Sequence, residues 1–233
     1  MIVTRRDPKS GTYRALGFLD RVADGYEFAY LLSATADPSF VPIVGFSESG
    51  RRYFRQQLFP SFAERVIGAK RPDRPRYLAS LNLEQTADSW EILSASGGYR
   101  EGDPIELIAL PSFDPVSGRT SASFLAHGVR HRPETASEHI SALTPGADIG
   151  LKLDPDNDFN PKAIQIVDGE VHLGFVPDPL VDYVGAVMTH GGTKVTVLQA
   201  NPPETNPHLR LLLRLEGTVR PFPFDGPEWR AAA

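Results

Sequence analysis

The sequence predicts two modules, an α+β domain followed by a small, mostly-β barrel of the OB or SH3-like kind with one helix. Three observations lead there. The chain has 233 residues, which suits two modest cores, since domains run to roughly 100–200 residues. In the first half the apolar period changes from strand-like alternation at residues 13–18 and 26–31 to a helical face at Leu58, Phe59, Phe62, Val66 and Ile67. In the second half, six short strand patterns surround one amphipathic stretch, the pattern of a compact barrel.

In chain order, Asp24-Gly25 supplies a hairpin turn between the first two strands, because both residues tolerate positive φ. Pro72 and Pro75 interrupt the helical face, a second short helix carries Tyr77, Leu78 and Leu81, and a third starts at the N-cap Asp88. That third helix runs through Trp90 and Leu93 to Gly97-Gly98, and a strand at 105–110 closes the half. Residues 111–118 hold turn formers without periodicity and mark the boundary. The modules are thus 1–111 and 120–220, with a Pro-rich tail at 221–233 packed on the surface or frayed. The second module has strands near 123–129, 148–153, 163–168, 171–176, 193–199 and 209–217 and a helix near 179–189. On that helix Leu180, Val184, Val187 and Met188 face the core, while Asp182 and Tyr183 face outward.

No apolar run approaches the roughly 18 residues of a membrane helix, and the first residues lack the apolar core of a signal peptide. The expected location is the cytoplasm. Without cysteine there is no disulfide, thiolate zinc site or cysteine nucleophile. A net charge of −5 confines any phosphate contact to a local patch. The densest basic stretch is Arg51, Arg52, Arg55, Arg65, Lys70, Arg71, Arg74 and Arg76.

The string from Leu153 to Ile166, with Asp154-Pro155-Asp156-Asn157 and Phe159-Asn160-Pro161-Lys162-Ala163-Ile164, followed by Leu173-Gly174-Phe175-Val176-Pro177, resembles the signature of HIRAN domains. Upstream, Gly128-Val129-Arg130-His131 matches that family's first strand. The resemblance implies an OB-like module that captures single-stranded DNA at its 3′ end. Carried over by position, Arg130 is the backbone-contacting cation, His131, Phe159 and Phe175 are stacking platforms, and Asn157 and Asn160 form the polar wall. Asn160 stands where the family commonly has aspartate, Lys162 where it has asparagine, and Asp178 near a position that is basic in the helicase examples. The same Asp and Asn residues serve equally well to cap a turn through their neighbouring backbone groups.

Residues 26–110 resemble, in order and residue type, the N-terminal subdomain of HipA-like kinases. The matching pieces include Tyr26-Glu27-Phe28-Ala29-Tyr30, Phe40-Val41-Pro42-Ile43 and the helix at Trp90. The likeness implies a free-standing antitoxin that engages such a kinase in trans. Arg51, Arg52, Tyr53 and Phe54 are the candidate partner-binding residues, while Phe59 and Trp90 read as core.

Catalysis is not expected. The chain carries no catalytic loop or metal-binding triplet of a kinase. Gly45-Phe46-Ser47-Glu48-Ser49 lacks the final glycine of a nucleophile elbow. Asp154, Asp156 and Asp158 begin like a calcium loop, but Phe159 and Gln165 stand where glycine and glutamate are needed. Histidines 127, 131, 139, 172, 190 and 208 show no spacing that sets two ligands on one helix face, so neither metal nor cofactor is expected. The reading is a non-catalytic regulator of a kinase that binds DNA, with a stand-alone single-strand or 3′-end binder as the alternative.

Overall fold

A computed structural model describes residues 1–232. Its first half is a five-stranded antiparallel sheet with short helices. The elements are β1 (Ile2–Arg6), β2 (Tyr13–Val22), β3 (Gly25–Tyr30), α1 (Leu32–Thr35), β4 (Tyr53–Arg55), α2 (Pro60–Ala63), α3 (Arg74–Ser80), α4 (Ser89–Ser96) and β5 (Ile105–Ile108). The sheet order is β4-β3-β2-β1-β5. The expected turn joins β2 to β3, and a Cβ on Gly25 would collide with the Arg55 carbonyl, so glycine lets β4 approach. The helical face expected from Leu58 to Ile67 folds as the single turn α2, with the flanking residues in turns. Asp88 caps α4 as expected: its carboxylate accepts from the Glu91 amide while the Glu91 side chain accepts from the Asp88 amide.

The second half contains β6 (Ser112–Phe113), β7 (Arg119–Leu125), α5 (Glu134–Ala142), β8 (Gly150–Leu153), β9 (Ile164–Asp168), β10 (Val171–Phe175), α6 (Val181–His190), β11 (Lys194–Ala200) and β12 (Leu211–Thr218). They form two antiparallel sheets, β10-β9-β8 and β11-β12-β7-β6. The sheets meet at two isolated bridges, His127 with Phe175 and Asp148 with Thr196. A barrel is therefore outlined but not closed by continuous ladders, which corrects the expected barrel. There are two helices here, not one, because α5 buries Ala136 and Ile140 on a face too sparse to read from sequence. Tyr183 points inward against expectation; it is fully buried, and its hydroxyl shares a 2.9 Å hydrogen bond with Thr120.

The β1 strand explains how the halves join. Its alternating side chains belong to different cores: Ile2 packs with Phe124, Ile166 and Leu213 of the second half, and Val3 with Phe28, Phe62 and Leu93 of the first. In β5, Ile108 and Leu107 divide the same way. The first sheet is thus buried on both faces and serves as the wall between two cores. The C-terminal segment packs across this junction. Phe224 is buried among Tyr183, Phe222 and Trp229, Trp229 reaches Phe18, and Ala231 bridges to Leu31. Among the described residues, no helix is long and apolar enough to cross a membrane.

Candidate nucleic-acid interface

After β7 the chain does not continue as a strand through Val129, as the resemblance implies, but turns at Gly128 into a 3-10 turn over Val129–His131. Gly128 adopts φ +70, and a Cβ on it would lie 3.2 Å from the Phe175 ring, so the turn packs directly onto β10. The peptide groups of His127 and Phe175 exchange two 2.9 Å hydrogen bonds that pin it there. Arg130, His131 and Arg132 follow in sequence at the rim of the second module.

Arg132, which the sequence reading passed over, is the cation that meets a ring. Its guanidinium lies 5.4 Å from the centre of Phe175, and Nη1 donates at 2.8 Å to His172 Nδ1. His172 Nε2 donates to the Gly174 carbonyl at 3.0 Å, so the neutral ring has its proton on Nε2 and its lone pair toward the arginine. His172 also meets Phe175 edge-on at 4.6 Å. Burial, then the Arg132 charge, holds the His172 pKa below its ordinary value. The Arg132 Nε–H is buried without a hydrogen-bond partner among the described residues, a desolvated donor that costs stability in this arrangement.

Exposed Arg130 donates from Nε to His131 Nε2 at 2.9 Å. Desolvation, followed by the charges of Arg130, Arg132 and Arg6, lowers the His131 pKa. The charges of three guanidiniums therefore act on one imidazole, and the third, Arg6, ends β1 of the first half. None of the three forms an ion pair with a carboxylate among the described residues, in a chain with a net charge of −5. Arg6 and Arg132 could be found only by folding, because no spacing links residue 6 to residue 132.

The remaining candidates divide. Phe175 belongs to this cluster. Asn157 and Asn160 act as turn formers: Asn157 Oδ1 accepts from the amides of Phe159 and Asn160, and its Nδ2 donates to Asp154 at 3.0 Å. Asn160 Oδ1 accepts from the Lys162 amide, and its Nδ2 donates to Asp178 at 2.9 Å. Asp178 is itself held from the first half, where the Tyr13 amide donates to it at 2.9 Å. Lys162 pairs with Asp182 at 2.8 Å, so its charge is locally compensated. Phe159 is 69% exposed and stacks on no aromatic ring among the described residues.

At the other end of the molecule, Tyr53 packs against Phe28 and Phe46, with its hydroxyl bound to the Glu48 backbone. Arg51 pairs with Glu48 at 2.9 Å and Arg52 with Glu27 at 3.0 Å. Of the four proposed partner residues, Phe54 is the one that presents an apolar ring, 53% exposed on the edge strand β4.

The chain matches no protein-family model and no curated protein. Among solved structures it is similar to the crystal structure of the HIRAN domain of human HLTF, with 15% sequence identity and a TM-score of 0.32, over 45% of this chain and 83% of that one.

Proposed function

We propose that this chain is a non-catalytic, single-stranded DNA-binding protein that uses Arg6, Arg130 and Arg132 on the phosphate backbone and Phe175 with His172 beside a base. One observation carries the reading: the charges of three guanidiniums that form no ion pair with a carboxylate among the described residues act on His131, and one of them, Arg132, lies over the partly exposed Phe175 ring. Isolated like charges repel, and a polyanion that binds them relieves the repulsion while releasing its own counterions. The motifs shared with HIRAN domains point to the same module. The proposed contact is blind to the strand end, because the Asn160 amide is engaged by Asp178.

Fluorescence anisotropy with single-stranded, 3′-blocked and duplex oligonucleotides at two salt concentrations tests this. Three phosphate contacts on a single strand give a log–log salt slope of about −2. Binding of single strands, blocked or not, with that slope is the expected result. No binding at low salt would remove the proposal, and rejection of the blocked strand would replace end-blind binding with 3′-end capture.

A second reading follows from the likeness to HipA-like kinases, with Phe54 as its supporting observation: an exposed ring on an edge strand can dock by strand addition. Co-purification with a HipA-like kinase, lost on Phe54→Ser, is its expected result. Failure of the wild-type chain to retain such a kinase would eliminate it.

A further inference from the structure

Behind the arginine cluster lies a buried polar group that nucleic-acid binding does not use. Glu106 on β5 is 3% exposed, and His127 Nε2 donates to its Oε1 at 3.0 Å. His208, from the turn Pro207–Leu209, brings Nε2 to 3.8 Å from the same oxygen. The three side chains come from the first sheet, the end of β7 and the loop before β12, and one ligand atom of each lies within 4.8 Å of the others. The second carboxylate oxygen, Oε2, is buried, and no donor among the described residues reaches it at full hydrogen-bond geometry, although the Tyr13 hydroxyl interacts with the same carboxylate, and burial together with that carboxylate raises the Tyr13 pKa. A carboxylate oxygen in that state costs several kcal/mol in general, a cost that a cation bound at the same carboxylate would offset.

The surroundings orient the donors. Tyr99 stacks on His208 with ring centres 4.5 Å apart and planes within 19°, and Tyr13 tilts against His127 at 5.3 Å. Gly97, in the left-handed conformation at the end of α4, leaves room for the glutamate; a Cβ there would lie 3.2 Å from Oε1. A cavity of about 20 Å³, lined by Glu106, His127, Gly97 and Pro177, adjoins the group. That is room for one water molecule.

We propose that Glu106, His127 and His208 bind one divalent transition-metal ion of the zinc class, with a water in the adjoining cavity as the fourth ligand. Two imidazoles and a carboxylate suit zinc, whose bonds of about 2.0–2.2 Å set tetrahedral ligand atoms about 3.3 Å apart. The observed separations of 3.0 and 3.8 Å from Glu106 Oε1 bracket that value. On binding, His127 frees Nε2 of the proton it shares with Glu106, which passes to solvent from the doubly protonated ring or to Nδ1 from the neutral one, so that a neutral imidazole meets the ion. His208 moves its ring proton to Nδ1 and releases the Ser96 carbonyl, to which Nε2 now donates at 3.0 Å. The ion takes the place of a proton between groups from both halves, so its role is to staple the first sheet to the second module. Three protein ligands with a water in the fourth position leave one coordination position open to exchange.

The test is titration of chelator-treated protein with Co²⁺ followed by visible absorption, and with Zn²⁺ followed by metal analysis and melting temperature. The expected result is one ion per chain, an intense tetrahedral Co²⁺ spectrum displaced by Zn²⁺, and a higher melting temperature. His208→Phe, which keeps the stacking on Tyr99, and Glu106→Gln should each reduce affinity at least tenfold. His139→Ala, which alters a surface histidine paired with Asp168, should change nothing. A wild-type chain that gives no tetrahedral spectrum overturns the proposal whether or not the variants fold. Equal binding by folded His208→Phe also overturns it.

Discussion

The eight cations between Arg51 and Arg76 contrast with the short run Arg130–His131–Arg132. In the longer stretch the charges are mostly committed to the protein itself. Arg65 is buried against Asp103 at 2.5 Å and donates to the carbonyls of Ser61, Gly98 and Ile105. Arg74 ties down the Ile67 and Ala87 carbonyls, while Arg51, Arg52, Arg71 and Arg76 pair with carboxylates. In the shorter run, taken together with Arg6, the partners are two imidazoles, a phenyl ring and a backbone carbonyl. Density of basic residues along a sequence therefore does not locate a polyanion site. What matters is how many of the charges lack an internal partner.

Substitutions in the two sets should separate stability from binding. The largest effect is expected at Arg65→Ala, which strips a buried partner from Asp103 and removes the side-chain donor to three carbonyls. Breaking such a pair costs about 3 kcal/mol. Chemical denaturation should show that loss, while the affinity of the folded fraction for single strands stays at the wild-type level. A parallel fall in affinity would mean that the first half takes part in binding beyond Arg6.

Arg132→Ala and Arg130→Ala invert this pattern. Each removes one uncompensated cation, so affinity should fall about tenfold at low salt and the slope should become shallower by about 0.7. Arg132→Ala should also weaken any stacking contribution, because Phe175 loses the guanidinium that orders it. An unchanged slope in both variants would break the assignment of these residues to phosphates.

These predictions rest unevenly on what the sequence discloses. The hairpin at Asp24-Gly25, the capped helix from Asp88 and the strands around Ile164 and Leu173 are legible because periodicity and turn chemistry are local. The resemblance brought Arg130, His131 and Phe175 to notice, and the structure keeps them in one neighbourhood. It could not show that Asn160 and Lys162 are engaged by Asp178 and Asp182, since those partners lie 18 and 20 residues away. Nor does any local signal reveal Arg6 or the meeting of Glu106 with His127 and His208. Spacing rules for metal ligands look along one helix, whereas these three converge through the pairing of β1 with β5 and of β7 with β12.

Protonation sharpens the contrast further, with a smaller effect. The pKa of His172 is lowered from 6.5, first by burial and then by Arg132. At a pH well above about 7 the ring is neutral in both folded and unfolded chains and contributes no pH dependence. As the pH falls below that value the unfolded chain takes up the proton first, so stability declines toward the lower folded pKa. His127 runs the other way: burial opposes its charge, but Glu106 outweighs burial and raises its pKa, which favours the folded state at low pH. Comparing wild type with His172→Gln isolates the first contribution, because the amide oxygen can still accept from Arg132. Wild type should lose stability relative to the variant between about pH 7 and pH 5, and parallel curves would show that the ring is free to protonate in place.

The smallest effect is expected at Arg71, paired with Asp73 two residues away on an exposed turn. Such a pair is screened by water and salt and held by two flexible side chains. Arg71→Ala should leave the melting temperature, the DNA affinity and the salt slope at wild-type values. A change in the slope would show that nucleic acid reaches the first half's basic stretch after all. The binding surface would then extend from the rim at Arg130 onto the face that holds Arg71, and the difference between committed and uncommitted arginines would no longer define the site.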